Sequence, residues 1–483
     1  MRLSPLFLVA LSLAAGASGF GQATKPNIIF ILADDLGYGD LGCYGQKIIQ
    51  TPQIDRLAAE GMRFTQFYAG STVCAPSRSV LMTGQHLGHT RVRGNAGERS
   101  GAQMLSRRDV TVPQVLREAG YATGLIGKWG LGTVTDEGEP RRQGFDYYYG
   151  FLSQGHAHNH YPDYLWRNGE KIALPNVVTP VGDGGAGYAT QRVKYAGDLF
   201  FEETRDFVER NQKQPFFLFL ALTVPHANNE RSRILGDGQE VPDYAPYADK
   251  PWANAVKGQA AMITRMDRQI GELMAQLKRL GLDQRTLVIF SSDNGPHKEG
   301  GPDYDPEFFD ANGPFTGIKR SLTDGGIRVP FIARWPGRIK AGVVSPHVGY
   351  FGDLMTTFGE LAGAKTPPAS SLDSISLVPT LLGRGDQRRH EYLYWEFYEK
   401  GFNQAVLLEG RWKGIRLEKA SAPLELFDLQ QDLAEQTDVA ARQPALVARI
   451  KDIMKTAHVE NEHWTIQRGE DLAGKLGKKN PGN

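Results

Sequence analysis

Apolar runs separated by polar punctuation recur along this chain, and their periods sort strands from helices. Ile28–Ala33, within PNIIFILADD, is almost continuously apolar, as expected of a strand buried on both faces. Phe216–Leu222, Thr286–Phe290 and Val329–Trp335 read the same way, and Phe64–Ala69 and Tyr121–Ile126 are strand-like. Helical patterns lie between them, at Pro52–Met62, Val112–Ala119, Gln191–Arg210 and Ala260–Leu280. In the last, Ile263, Met266, Ile270, Leu273, Met274, Leu277 and Leu280 keep to one face. Alternating strands and helices predict an α/β fold: a large, mostly parallel sheet flanked by helices.

After about residue 385 the period changes. Tyr392–Phe397, Gln404–Leu408, Trp412–Leu417 and Leu424–Leu429 read as short strands with close turns, followed by a helix at Ala445–Met454. We therefore expect a catalytic α/β domain over 25–385 and a small antiparallel C-terminal subdomain over 386–483. The first residues differ again. Arg2, apolar Leu6–Ala15 and small Ala15-Gly16-Ala17 predict a signal peptide over 1–19, hence export to a periplasm or the exterior. No later segment has the ~18 uninterrupted apolar residues of a membrane span.

Charge narrows the partners. With 55 Lys+Arg against 54 Asp+Glu in 483 residues, the chain lacks a nucleic-acid footprint. Its only cysteines, Cys43 and Cys74, allow at most one bridge. Chemistry in open α/β sheets sits beyond the carboxyl ends of strands. There, Asp34-Asp35 follows FILA and Asp293-Asn294 lies in VIFSSDNG. Singly, each pair is also what a helix cap or a turn would use. Together they form an oxygen donor set that suits Ca²⁺ or Mg²⁺ and suits zinc poorly. In STVCAPSRSVLMTG (71–84), Pro76 fits the first turn of a helix, with Cys74 near its N-terminus and Arg78 a turn further on. These residues alone leave open a structural cysteine, a disulfide or a thiol nucleophile.

Cys74-Ala75-Pro76-Ser77-Arg78, with Leu81 and Gly84, resembles the signature of the type I sulfatases, of arylsulfatase and N-acetylgalactosamine-6-sulfatase type. ILADDLGYGDLGCYG (31–45), GLIGKWGLG (124–132), TVPHA (223–227), SSDNGPH (291–297) and GIKRSLTDGGIRVPFIARWPG (317–337) resemble further family blocks, in the family's order. The resemblance implies an alkaline-phosphatase-like fold. It also implies that a maturation enzyme converts Cys74 to formylglycine, whose hydrate attacks sulfur. Asp34, Asp35, Asp293, Asn294 and the modified Cys74 would hold Ca²⁺. Arg78 would support the formylglycine, Lys128 and Lys319 would hold sulfate oxygens, and His226 would protonate the leaving alcohol.

One block departs from the family. Many members continue Gly-Lys-Trp with a histidine that helps expel sulfate; here Gly130 stands in that place. In SQGHAHNHYPDYLW (153–166), His156 and His158 would share a face of an extended segment, and we expect one of them to replace the missing base. The expected substrate is a sulfated sugar, with small aryl sulfates as proxies. Tyr161, Tyr164, Trp166, Trp395 and Tyr398 are candidate stacking surfaces for the sugar. Two alternatives stay open: a phosphonate monoester or phosphodiester hydrolase on the same fold, and a glycan-binding protein on a decayed scaffold.

Overall fold

The computed structural model describes residues 25–96, 101–399 and 401–477, so the expected signal peptide lies outside the described residues. Its strands are β1 (Asn27–Asp34), β2 (Met62–Tyr68), β3 (Ala122–Lys128), β4 (Tyr147–Phe151), β5 (Tyr164–Arg167), β6 (Glu170–Ala173), β7 (Val177–Pro180) and β8 (Gly187–Gln191), then β9 (Phe216–Pro225), β10 (Thr286–Ser292), β11 (Phe331–Arg334) and β12 (Val343–Tyr350). Ten of them form one sheet in the order β12-β2-β11-β10-β1-β9-β3-β4-β5-β6, while β7 and β8 pair apart. The centre of the sheet is parallel, as the apolar runs require: β10, β1, β9, β3 and β4 all run one way. The sheet is mixed towards its margins, where β11, β5 and β6 pair antiparallel to their neighbours.

Both faces are covered, and β1 shows how. Its alternate residues Ile28, Phe30 and Leu32 join one core, with Val80 and Leu81 of the helix Cys74–Thr83 and Leu354 and Phe358 of the helix Asp353–Ala362. Ile29, Ile31 and Ala33 join the opposite core, with Ile263, Met266 and Ile270 of the helix Asn254–Arg279. The helix expected from Gln191 begins later, at Ala196. Gln191 ends β8, and the Asn176 side chain accepts from the Val193 and Lys194 amides, each at 2.8 Å, which holds that stretch extended.

Strands β13 (Tyr392–Phe397), β14 (Asn403–Leu408), β15 (Trp412–Arg416) and β16 (Glu425–Asp428) make a second, antiparallel sheet. The helix Pro444–Thr456 covers one side with Ile450, Ile453 and Met454. On the other side Leu393, Trp395, Leu407 and Phe427 merge into the first core of the large sheet. Among the described residues, no helix is long and apolar enough to cross a membrane.

Candidate active site

β1 and β10 end in register, Ala33 beside Ser292, so Asp34 and Asp293 leave the sheet together. Successive strand residues normally point to opposite faces. Asp35 avoids this with φ +66°, a left-handed conformation that Asp tolerates better than most residues. Its amide donates to Asp293 Oδ1 at 3.1 Å, and its carboxylate turns back towards the same site. Asn294 donates through Nδ2 to Asp35 Oδ1 at 2.7 Å, whereas its Oδ1 is buried with no hydrogen-bond partner.

Cys74 opens the helix Cys74–Thr83, with Sγ 3.3 Å from Asp34 Oδ1. One turn on, Arg78 donates twice to Asp293 Oδ2, at 3.2 and 2.8 Å, and once to the Lys128 carbonyl at 2.7 Å. Lys128, the last residue of β3, donates to Asp34 Oδ2 at 2.7 Å. Lys319 donates to Asp35 Oδ2 at 2.8 Å, to Glu299 at 2.9 Å and to His226 Nε2 at 3.0 Å. His226 follows β9, and its Nδ1–H donates to the Ala227 carbonyl at 2.6 Å.

Three buried carboxylates thus face three buried cations. Burial would raise Asp34, but the charges of Lys128 and Arg78 outweigh it and hold the group well below the usual carboxylate range. Burial and the Asp34 charge push Asp293 up to about 7, so this carboxylate is short of positive charge. Asn294 Oδ1 is likewise short of a partner. An orphan amide oxygen among carboxylates fits a hard, oxygen-seeking cation such as Ca²⁺. Burial and the neighbouring Asp34 raise the Cys74 thiol well above its ordinary range, and burial with Lys319 lowers His226 well below its own. Without thiolate or imidazolium, a thiol-nucleophile reading has no support here.

A pocket of about 850 Å³ opens over Cys74, His226 and Lys319. Its two histidine candidates part company. Ser153 Oγ accepts from the His156 amide and starts a helical turn at Gln154–Ala157, so the segment is not extended and the two rings do not share a face. His158 lines the pocket, stacks on His226 with centroids 4.8 Å apart, and donates from Nδ1 to Glu230 at 3.0 Å. His156 packs instead against Phe151 and Tyr164, where burial pushes it down to about 3.

The expected stacking surfaces are also elsewhere. Tyr161, Trp395 and Tyr398 are buried in the cores, and Lys171 lies over Tyr164 and Trp166. Among the described residues the pocket wall carries no Phe, Tyr or Trp; Asn95, Gln103, Gln154, Asn229 and Arg320 make it polar. The pattern of apolar positions gave no signal for these. Arg320 stood beside a motif residue and Gln154 in the quoted 153–166 segment; the φ of +74° at Arg320 and its pairs to Glu299 and Glu399 set it at the pocket rim.

Comparison with known proteins agrees with this geometry. A family model described as Sulfatase matches residues 26–364, and one described as N-sulphoglucosamine sulphohydrolase, C-terminal, matches residues 315–461. N-acetylgalactosamine-6-sulfatase of Canis lupus familiaris is 33% identical over 78% of this chain and 69% of its own. Arylsulfatase A of Homo sapiens is 33% identical over 95% of this chain and 94% of its own. Among solved structures, that of Ps i-CgsB in complex with k-i-k-neocarrahexaose superposes with a TM-score of 0.76 at 28% identity, over 94% of this chain and 98% of the other. Matched over both sheets and built around a cysteine set in a carboxylate cluster, the chain belongs to the sulfatase family and is a sulfuric ester hydrolase.

Proposed function

We propose that this enzyme releases sulfate from a sulfated carbohydrate, using a formylglycine made from Cys74. One observation carries the proposal: Cys74 opens a helix against Asp34, inside a charged oxygen cluster where its own thiol is a poor nucleophile. The matured residue would supply a geminal diol, one hydroxyl attacking sulfur and the other re-forming the aldehyde as sulfate leaves. Asp34, Asp35, Asp293 and Asn294 would hold Ca²⁺, which when bound neutralises sulfate charge and acidifies an oxygen nucleophile. Lys128 and Lys319 flank this centre and remain charged, since their carboxylate partners outweigh burial. Arg78 ties the helix to Asp293 and so fixes Cys74 over the cluster. Lys319 and His226 form a proton-holding pair facing the leaving oxygen.

His158 is our candidate for the base that replaces the family histidine absent at Gly130. Its Nδ1–H points to Glu230, which leaves Nε2 as the proton acceptor, the arrangement in which a carboxylate orients a catalytic imidazole. The polar pocket suits a hydroxylated ring, and the likeness to the N-acetylgalactosamine-6-sulfatase of Canis lupus familiaris makes a galactose-type 6-sulfate the first substrate to assay. The apolar leader supports an exported enzyme. Turnover of a sugar sulfate and an aryl sulfate, beside an aryl phosphate diester, tests the assignment. Preference for the phosphate diester would return the phosphodiesterase alternative, and retention of sulfated glycan without sulfate release would return the glycan-binding one.

A further inference from the structure

Gly130 does more than lack a side chain. It lies two residues beyond Lys128, with φ +79° and its carbonyl accepting from Gln103 Nε2 at 3.2 Å. A Cβ built on it would fall 2.1 Å from Gln154 Nε2 and 3.0 Å from Gln154 Cδ. The Gln154 amide therefore occupies the space through which any side chain at position 130 would pass. Gln154 begins the turn capped by Ser153, which fixes its backbone, and it lines the same pocket as Cys74, His158 and His226. Its Nε2 is shielded from solvent and has no hydrogen-bond partner. A buried NH₂ group without an acceptor is costly, and the pocket is where an acceptor would arrive.

Resting on the sulfatase reading, we propose that Gln154 is a substrate-binding residue whose Nε2–H donates to an oxygen of the sulfuryl group. The contact is placed on the sulfuryl group because Gln154 shares its pocket with Cys74 and packs on Gly130, two residues past Lys128, whose ammonium binds the Asp34 carboxylate that touches Cys74. A primary amide donates a hydrogen bond but takes no proton at working pH. The exchange at position 130 thus replaces a proton-transferring group with an oxygen-binding one and leaves proton transfer to the imidazoles of His158 and His226.

The test compares wild type with Gln154→Ala and the isosteric Gln154→Glu, in matured enzyme. It reads KM and kcat for an aryl sulfate, which carries no sugar, and inhibition by inorganic sulfate. Loss of a hydrogen bond to a charged oxygen should raise KM and the sulfate inhibition constant about tenfold or more in Gln154→Ala. The rise should be larger in Gln154→Glu, and in Gln154→Ala kcat should change far less and the pH profile should not move. Unchanged aryl sulfate KM and sulfate inhibition in both variants would overturn the proposal, as would a loss confined to sugar substrates or a pH limb shifted in Gln154→Ala. A wild type inert towards every sulfate ester would overturn the sulfatase reading instead.

Discussion

At the scale of single residues, the site works by opposing charges that burial makes strong. His226 shows what this implies for turnover. In the proposed mechanism the Lys319–His226 pair faces the leaving oxygen with its proton held on Lys319, so its value depends on how badly that oxygen needs a proton. His226→Ala should lower kcat for a sugar sulfate by about 10²–10⁴-fold, the usual range for a lost general acid, and lower it much less for an aryl sulfate with an acidic phenol. Equal losses on both substrates would remove the acid role. Asn294 gives a test that needs no turnover. Ca²⁺ that binds only the folded chain stabilises it, by about 2.7 kcal/mol at a hundredfold excess over Kd. Wild-type Tm should rise with added Ca²⁺ and fall with a chelator, and Asn294→Ala should respond much less, because the orphan Oδ1 is gone.

At the scale of elements, the ends of parallel strands do most of the positioning. The apolar runs at β1, β9 and β10 were legible because strands buried on both faces leave no polar alternation. Asp34-Asp35 and Asp293-Asn294 were legible as a pair of strand ends, although the left-handed turn at Asp35 that lets neighbouring carboxylates cooperate was not. The 153–166 segment misled for a physical reason. Alternating histidines suggest an extended face, but one serine hydroxyl bonded to a backbone amide converts the stretch to a helical turn. The pocket's polar wall is assembled from separate loops, so no local period encodes it. Ser153 also donates to the Gly184 carbonyl at 2.8 Å, pinning a pocket loop. Ser153→Ala should therefore cost about 1 kcal/mol in denaturant unfolding and raise KM for the sugar substrate. An unchanged unfolding midpoint would deny the cap its role.

At the scale of the whole molecule, a buried carboxylate ties the small sheet to the loop that follows the helix Cys74–Thr83. Glu396 on β13 accepts from Arg93 at 3.0 Å, from the Tyr394 and Tyr398 hydroxyls at 2.8 Å each, and from His458 Nδ1 at 2.8 Å. Burial alone would lower His458, yet its hydrogen bond to Glu396 and that group's charge raise it above its ordinary value of 6.5. A histidine raised in the folded state contributes fully below its unfolded pKa and loses that contribution as pH climbs through the folded one. The stability gap between wild type and His458→Gln should thus be widest below about pH 6.5 and narrow above it; a gap that widens with pH would contradict the pairing. The proposed mechanism rests on one chemical change, the conversion of Cys74 to formylglycine. We would express the full chain in a host that matures sulfatases and weigh the tryptic peptide Phe64–Arg78. The account expects loss of the sulfur and an aldehyde or its hydrate at Cys74. An intact, alkylatable thiol in protein that still releases sulfate would contradict it.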